Sequence, residues 1–341
     1  MSHFRPISLC NITYKPASKA IANRLKPFLT LVVSETQSAF LLGRLITDNV
    51  LVAYEINHYL AYKYWGSTGH AALKLDLSKA YDRMEWSFLE RVLIRLGFHS
   101  SFVSLICTCV NTVSYSVLLS GQKFGYFHAQ RGLRQGDPLS PYLFLFCAEV
   151  LSNLVSKMEA AGELKGVAVS RGGPRISHLL FANVTLNCFQ ASAEAMRCIR
   201  CILGVLEATS GLKVNFEKSS IIFSKHTPIA DREGLARILG VRMEAKHDKY
   251  LGMPAVVGRS KRDLFFNVKD RVWARLQRWK CKSLSQAGKL ILIKSVIQTM
   301  PTYVMSCLLV PNSICQEIEG MMADFFLAQQ RFPKSSLDRL G

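Results

Sequence analysis

The chain has 341 residues, of which 49% are hydrophobic and 20% are charged, so a large core can form and global disorder is excluded. This length predicts two or three domains, or one large unit with several lobes. The 43 Lys and Arg exceed the 24 Asp and Glu and give a net charge of +19. Such a surplus predicts a polyanionic partner, either nucleic acid or an anionic membrane surface.

The ten cysteines are too sparse for a small disulfide scaffold, which predicts reduced thiols in the nucleus or cytoplasm. One CxxC pair, Cys198 and Cys201, lies in a helical pattern without a second pair, so we do not expect zinc there. The uncharged stretches 98–122 and 295–316 are polar or interrupted by proline. We expect both to be core and not membrane spans.

In chain order, the first predicted elements are a basic amphipathic helix and a half-buried strand. Residues 15–28 have helical spacing of apolar residues. Residues 72–78 alternate, with leucines at 73, 75 and 77 on one face and Asp76 on the other. A helix over 86–96 follows.

Three further elements are predicted downstream. Asp137 and the proline after it are typical of a helix start, and a largely buried helix follows. Residues 176–189 predict two strands around a turn at Asn183-Val184. Residues 260–279 predict a second basic amphipathic helix.

Several ordered motifs accompany these elements. They are LDLSKAYDRMEWSFL, RGLRQGDPLSPYLF, the segment around FANV, SGLKVNFEKS and KYLGMP, preceded by FRPISLCN and ETQSAFLLGRLITDNV and followed by LSQAGKLILIKSVIQTMPTYVMS. Together they resemble the reverse transcriptases of plant non-LTR (LINE-type) retroelements, from residue 4 to about residue 326.

The resemblance implies an α+β right-hand polymerase fold with a small antiparallel palm sheet backed by helices. It assigns residues 1–65 to fingers, 66–255 to palm with some finger elements and 256–341 to a basic, thumb-like helical region. The implied activity is RNA-directed DNA synthesis, in which an RNA template, a DNA primer and dNTPs meet at two Mg²⁺ ions. No membrane partner is expected.

Residue roles follow from the same resemblance. Asp76 is the expected first metal ligand, joined by the Leu77 backbone carbonyl. Four nucleotide-binding residues are also expected. Arg5 would hold the triphosphate, and Tyr81 would exclude a nucleotide with a 2′-hydroxyl. Gln135 and Gly136 would pack on the nucleotide and the template.

One motif departs from the family pattern. The family has FADD where this chain has Phe181-Ala182-Asn183-Val184, so two negative charges are missing from the implied metal site. Losing one catalytic group typically costs about 10²–10³ in rate. Family members also usually carry an endonuclease and further sequence. We therefore expect a fragment with an impaired polymerase, and a non-catalytic nucleic-acid-binding remnant is the alternative.

The basic helix supplies the expected nucleic-acid contacts. Residues 259–294 contain eleven Lys or Arg and two Asp, a net charge of +9. By resemblance this region lies along the template–primer duplex and contacts phosphates. The expected contacts are Lys261, Arg262, Lys269, Arg271, Arg275, Arg278 and Lys289. A basic membrane-associated protein is a further alternative, disfavoured by the interrupted uncharged stretches.

Overall fold

The computed structural model describes residues 7–64, 66, 68–246, 249–255, 262–280 and 284–328. The chain forms two compact units, Met1–Val256 and Val257–Gly341. Arg5 and Lys261 lie outside the described residues, as does the side chain of Arg262.

A five-stranded sheet is the centre of the first unit. Its strands are β1 (His70–Asp76), β6 (His178–Phe181), β7 (Val184–Gln190), β8 (Ser220–Phe223) and β9 (Arg242–Met243). They lie in the order β6-β7-β1-β8-β9, and every neighbouring pair is antiparallel except β8 with β9. The predicted α+β class, with a small and mainly antiparallel sheet backed by helices, is confirmed.

Helices cover both faces of this sheet. They are α1 (Tyr14–Val32), α2 (Ile46–Tyr62), α3 (Ala80–Arg83), α4 (Trp86–Arg95), α5 (Ser100–Asn111), α6 (Ser140–Ala160), α7 (Ala193–Ser210) and α8 (Ile229–Leu239). The predicted helices at 15–28 and 86–96 are thereby confirmed. Apolar spacing explains α1, because Ala22, Leu25 and Leu29 fall on its buried face.

The alternating strand is confirmed as β1. Leu73 and Leu75 are buried in the larger core cluster with α6, as their face predicts. Ala72 on the opposite face is buried against α2 in a second cluster, so the sheet is covered on both sides near the start of β1. Asp76, at the far end, is only partly buried.

The helix predicted after Asp137 begins later than expected. It begins at Ser140, with Pro141 in its first turn, while the Asp137 carboxylate accepts a hydrogen bond from the Leu139 amide at 3.0 Å. The predicted burial is correct, because Phe144 and Phe146 are fully buried. The predicted turn also shifts by one residue, to Ala182-Asn183, since Val184 already begins β7.

Three two-stranded sheets complete the first unit. They pair β2 (Ser114–Leu119) with β3 (Gln122–His128), β4 (Val167–Ala168) with β5 (Arg175–Ile176), and β10 (Lys249–Tyr250) with β11 (Met253–Pro254). The β2–β3 hairpin is almost wholly exposed. The expectation that 98–122 is core is therefore correct only for α5, because strands with both faces in solvent have nothing to pack against.

The second unit is helical in its described part. It contains α9 (Arg262–Lys280), α10 (Gln286–Leu292), a π-helical turn (Ile293–Ile297), α11 (Thr299–Cys307) and α12 (Asn312–Leu327). Val268, Val272 and Leu276 bury one side of α9, which confirms the predicted amphipathic helix.

The stretch Gln286–Cys307 is helical and, by length and composition alone, apolar enough to cross a membrane. Only 17% of its most apolar window is buried within the unit. The expectation that 295–316 forms core is therefore wrong for most of its residues, because Ile297, Val304 and Ile314 are buried there while their neighbours mainly face outward. That no membrane is involved stays a prediction.

Candidate active site

The structure brings Asp76 and Asn183 together at one end of the central sheet. Asp76 ends β1 and is opposite Val184 in the antiparallel ladder with β7. The Asn183 side-chain nitrogen Nδ2 donates to Asp76 Oδ1 at 3.1 Å, and the Leu77 amide donates to the Asn183 carbonyl at 3.3 Å. The four residues predicted from the first and third motifs, Asp76, Leu77, Asn183 and Val184, therefore lie together.

The segment matched to the fourth motif holds the backbone around Asp76. The Asn215 amide donates to the Asp76 carbonyl at 2.8 Å, and the Asp76 amide donates to Ser219 Oγ at 3.2 Å. Leu77 forms an isolated bridge with Val214. With both backbone groups of Asp76 hydrogen-bonded, this segment fixes the backbone from which the carboxylate projects.

Gln37 fixes the turn that carries Asn183, and the sequence did not single it out. Ala182 has φ +53°, a left-handed conformation that is unusual for a residue with a Cβ. Gln37 Oε1 accepts hydrogen bonds from the amides of Ala182 (3.1 Å) and Ala39 (3.0 Å), and Gln37 is only 1% exposed. Gln37 lies in the ETQSAF motif, but no local pattern indicates a partner 145 residues away.

A cleft of ≈ 390 Å³ lies beside Asp76. Its lining residues are Lys74, Asp76, Val184, Glu217, Lys218, Ser220, Arg242 and Glu244. Lysine and arginine are as numerous there as carboxylates, and Arg242 is ion-paired with Glu244. The cleft is therefore polar, but it does not have the excess of negative charge that concentrates cations.

These donors do not fit a centre for two Mg²⁺ ions. Mg²⁺ prefers anionic oxygen ligands in near-octahedral geometry. Here the Asp76 carboxylate faces the amide nitrogen of Asn183, which cannot coordinate a cation, and Val184 offers no side-chain ligand. Within the described residues, no group of three or more His, Cys, Asp or Glu is placed to hold a metal, and Cys198 and Cys201 are free thiols on α7.

Of the predicted nucleotide-binding residues that the structure describes, Tyr81 lies on α3, and Gln135 and Gly136 lie in the loop before α6. The Tyr81 ring stacks on Phe144 at 5.0 Å, and burial raises the pKa of Tyr81 to about 12. The Gln135 amide nitrogen donates to Asp82 Oδ1 at 3.1 Å. Gly136 has φ +106°, and a Cβ there would lie 3.0 Å from the Ser8 carbonyl, so the position requires glycine.

A buried ion pair stabilises the loop that contains Gln135 and Gly136, and it was not predicted. Arg134 Nη2 lies 2.8 Å from Asp137 Oδ2, and the two side chains are 10% and 3% exposed. The Tyr14 hydroxyl donates to Asp137 at 2.8 Å, and the Arg134 guanidinium lies 4.1 Å from the Tyr14 ring centre. Burial, and then the adjacent Asp137 carboxylate, raise the pKa of Tyr14.

The basic residues predicted to contact nucleic acid do not share one environment. Arg271, Arg275 and Arg278 are exposed along one flank of α9. Lys269 is ion-paired with Glu317 at 2.5 Å. Lys289 is 7% exposed and donates to the Phe326 and Ala328 carbonyls at the end of α12. The assignment of Lys289 to a nucleic-acid surface is therefore wrong, because its ammonium group caps a helix end.

One protein family and several known proteins are similar to this chain. Residues 1–255 match the family "Reverse transcriptase (RNA-dependent DNA polymerase)". The chain is 27% identical over 330 residues to the transposon TX1 uncharacterized 149 kDa protein of Xenopus laevis, covering 95% of this chain and 24% of that protein. It is 25% identical over 183 residues to a Pol polyprotein from the type-1 retrotransposable element R2 of Popillia japonica, covering 53% of this chain and 24% of the polyprotein.

Among solved structures, apo telomerase from Candida tropicalis is similar, with a TM-score of 0.44, 14% identity and coverage of 92% of this chain and 55% of that one. The chain spans about a quarter of the length of the two curated relatives named above. Since the family match covers three quarters of the chain, the protein belongs to the reverse transcriptase (RNA-dependent DNA polymerase) family, with relatives among the non-LTR retrotransposons.

Proposed function

We propose that this chain is the RNA-directed DNA polymerase domain of a non-LTR retroelement in which nucleotidyl transfer is impaired. The observation that carries the proposal is the hydrogen bond from Asn183 Nδ2 to Asp76 Oδ1. In this proposal residues 1–65 are fingers, 66–255 palm and 256–341 a thumb-like region, and the ligands are an RNA template, a DNA primer and dNTPs.

The chemistry of the pair supports impairment. An ionised carboxylate only accepts hydrogen bonds, so Asn183 must present its amide nitrogen to Asp76. Two carboxylates at the same separation would repel each other and would need a cation between them, or a shared proton. Asn183 removes that requirement, because its contact with Asp76 is attractive with no ion present.

Primer extension by the purified full chain tests the proposal. On a homopolymer RNA template with a DNA primer, we expect little or no synthesis with Mg²⁺ and only weak synthesis with Mn²⁺. Asp76→Asn is the matched control, because it removes the remaining carboxylate charge and keeps the side-chain shape. Robust synthesis by the unaltered chain that Asp76→Asn abolishes would contradict impairment.

The alternative is a non-catalytic nucleic-acid-binding remnant, and the exposed arginine flank of α9 favours it. Arg271, Arg275 and Arg278 recur at helical spacing and face solvent, as residues that contact successive phosphates do. If each contacts one phosphate, replacing all three by alanine lowers the slope of log affinity against log salt by about 2.7 on a duplex.

Two assays separate the alternatives. A remnant binds template–primer duplex with this salt dependence and gives no Asp76-dependent extension under any metal condition. The charge-retaining replacement of the three arginines by lysine is the control, and it should keep most of the salt slope. An unchanged slope in the alanine variant would remove α9 from the binding surface.

A further inference from the structure

A second cleft, of ≈ 420 Å³, lies at the end of α2, near His70 at the start of β1. We call it the α2 cleft. It is lined by His58, Tyr59, Tyr62, Lys63, Val169 and Arg171. Six residue steps along β1 separate His70 at this end from Asp76, which is about 20 Å at the usual rise of an extended strand. The α2 cleft is therefore separate from the candidate active site.

Aromatic rings and cations alternate in the α2 cleft. Lys63 Nζ lies 2.9 Å from the Tyr59 hydroxyl and 2.9 Å from His70 Nδ1, and 5.2 Å from the centre of the Tyr59 ring. The His58 and Tyr62 rings are 4.5 Å apart, and Tyr62 is 57% exposed. The rim thus offers an open aromatic surface next to a fixed ammonium group.

The loop after β8 brings a second ring and a second cation to the end of α2. The His226 amide donates to the Lys63 carbonyl at 3.0 Å, which ties the loop to the end of α2. Lys225 Nζ donates to the Tyr64 hydroxyl at 2.6 Å and lies 4.8 Å from the centre of its ring. Tyr64 is 54% exposed, so a second ring beside a second cation faces solvent.

Positive charge here is not neutralised by neighbouring acids. The lining of the α2 cleft contains no Asp or Glu. Within the described residues, neither Arg171 nor Lys225 forms an ion pair with a carboxylate. Burial first, and then the charges of Lys63 and Arg175, lower the pKa of His70 to about 4.

We propose that the α2 cleft, together with the adjoining Tyr64–Lys225 pair, binds single-stranded nucleic acid. Unpaired bases would stack on Tyr62 and Tyr64, and the phosphates between them would contact Lys63, Arg171 and Lys225. Alternating rings and cations are the usual composition of such surfaces. A duplex is a poor ligand, because its bases are already stacked on each other. Binding to a lipid surface is a separate outcome, which the vesicle flotation described below distinguishes.

This site goes beyond the proposed function, because it needs neither a metal nor a competent active site. Fluorescence anisotropy of the full chain with labelled 12-nucleotide single strands, one RNA and one DNA, tests it. An excess of unlabelled blunt-ended duplex, which has no unpaired bases, occupies the α9 surface, so that the single-strand signal reports on the α2 cleft. The two labelled strands distinguish RNA from DNA as the preferred ligand.

Two pairs of variants probe the two halves of the interaction. Arg171→Ala with Lys225→Ala should lower the salt slope by about 1.4, whereas Arg171→Lys with Lys225→Arg should keep it. Tyr62→Leu should weaken binding by about fivefold or more, whereas Tyr62→Phe should bind within about twofold of the unaltered chain. The three positions changed, Arg171, Lys225 and Tyr62, are exposed, and a thermal melt checks each variant's folding.

Three outcomes would overturn the proposal. The first is single-strand binding that neither variant pair changes. The second is loss by Tyr62→Phe as large as by Tyr62→Leu, which would exclude stacking. The third is flotation with phosphatidylserine vesicles that Arg171→Ala with Lys225→Ala abolishes while single-strand binding stays unchanged, which would make the surface a lipid site. Duplex binding through α9 is measured separately. Loss of duplex binding can therefore be distinguished from loss of single-strand binding at the α2 cleft.

Discussion

The turn at Ala182-Asn183 and the loop at 131–139 both lie in motifs that resemble those of reverse transcriptases. The polar side chain of the turn and the charged side chains of the loop have different surroundings. At the turn, a neutral amide stands where the family has a carboxylate, and it hydrogen-bonds Asp76. In the loop, the Arg134–Asp137 ion pair is buried and further bonded by Tyr14. The difference is physical: the fold needs the charges of the loop, whereas only a bound cation needs a second carboxylate at the turn.

The comparison predicts that the loop and the turn respond in opposite ways to a change of charge. Removing charge from the loop should damage folding, because a buried partner is left unpaired. Adding charge to the turn should leave folding largely intact and create a dependence on metal.

The largest expected effect is on the loop. Asp137→Ala leaves the Arg134 guanidinium buried without its carboxylate and should lower the free energy of unfolding by about 3–5 kcal/mol, measured by urea denaturation. The double variant Arg134→Met with Asp137→Leu should lose less than Asp137→Ala, because no unpaired charge remains. If the double variant is as unstable as Asp137→Ala, the unpaired Arg134 charge is not the cause of the lost stability.

At the turn, Asn183→Asp with Val184→Asp restores the family motif. With Mg²⁺, primer extension should rise by about 10²–10³-fold over the unaltered chain, which corresponds to about 2.7–4 kcal/mol. Mg²⁺ should also raise the melting temperature of this variant but not that of the unaltered chain, because only the variant offers a set of anionic ligands.

Asp76→Asn in the restored background is the control, and it should abolish both the activity and the Mg²⁺ effect. Restoration with no gain in either measurement would locate the impairment outside the turn.

The support beneath the turn is expected to contribute less. Gln37→Met removes the acceptor for the Ala182 and Ala39 amides and should cost about 1–3 kcal/mol, the penalty for an unsatisfied buried donor. Native-state hydrogen exchange at the Ala182 amide should accelerate by about 5- to 150-fold. Gln190→Met, on a half-buried side chain of β7, is the matched control and should leave that amide unchanged.

A smaller effect concerns pH and the hydrogen bonds beneath β6. His178 is 2% exposed, its Nε2 lies 2.7 Å from Ser152 Oγ, and burial lowers its pKa to about 4. Since the unfolded chain takes up the proton first, stability is full above the unfolded pKa of about 6.5 and is lost as pH falls toward 4. The slope should be at most about 1.4 kcal/mol per pH unit.

His178→Gln should remove this contribution to the slope. The nearby Glu149 opposes it, because burial raises the pKa of Glu149 and its protonation favours the folded state as pH falls. The difference between the unaltered chain and His178→Gln isolates the histidine. Parallel denaturation profiles between pH 4 and pH 6.5 would contradict the prediction.

Local patterns determined much of this protein. Apolar spacing defined α1, α4 and α9, and strict alternation defined β1 with Asp76 on its polar face. These features depend on residues a few positions apart, which a sequence displays directly. Ordered motifs then predicted the family and the meeting of Asp76 with Asn183.

Only the tertiary structure decided what each side chain contacts. Gln37 reaches the Ala182 amide, Tyr14 completes the Arg134–Asp137 pair, and Lys289 is buried against the end of α12. The tyrosines and cations of the α2 cleft and the adjoining Tyr64–Lys225 pair come from α2, from the residues just after it and from two loops far along the chain. Such contacts join residues up to about 160 positions apart, so composition and period carry no signal for them, and burial and pairing appear only when the chain has folded.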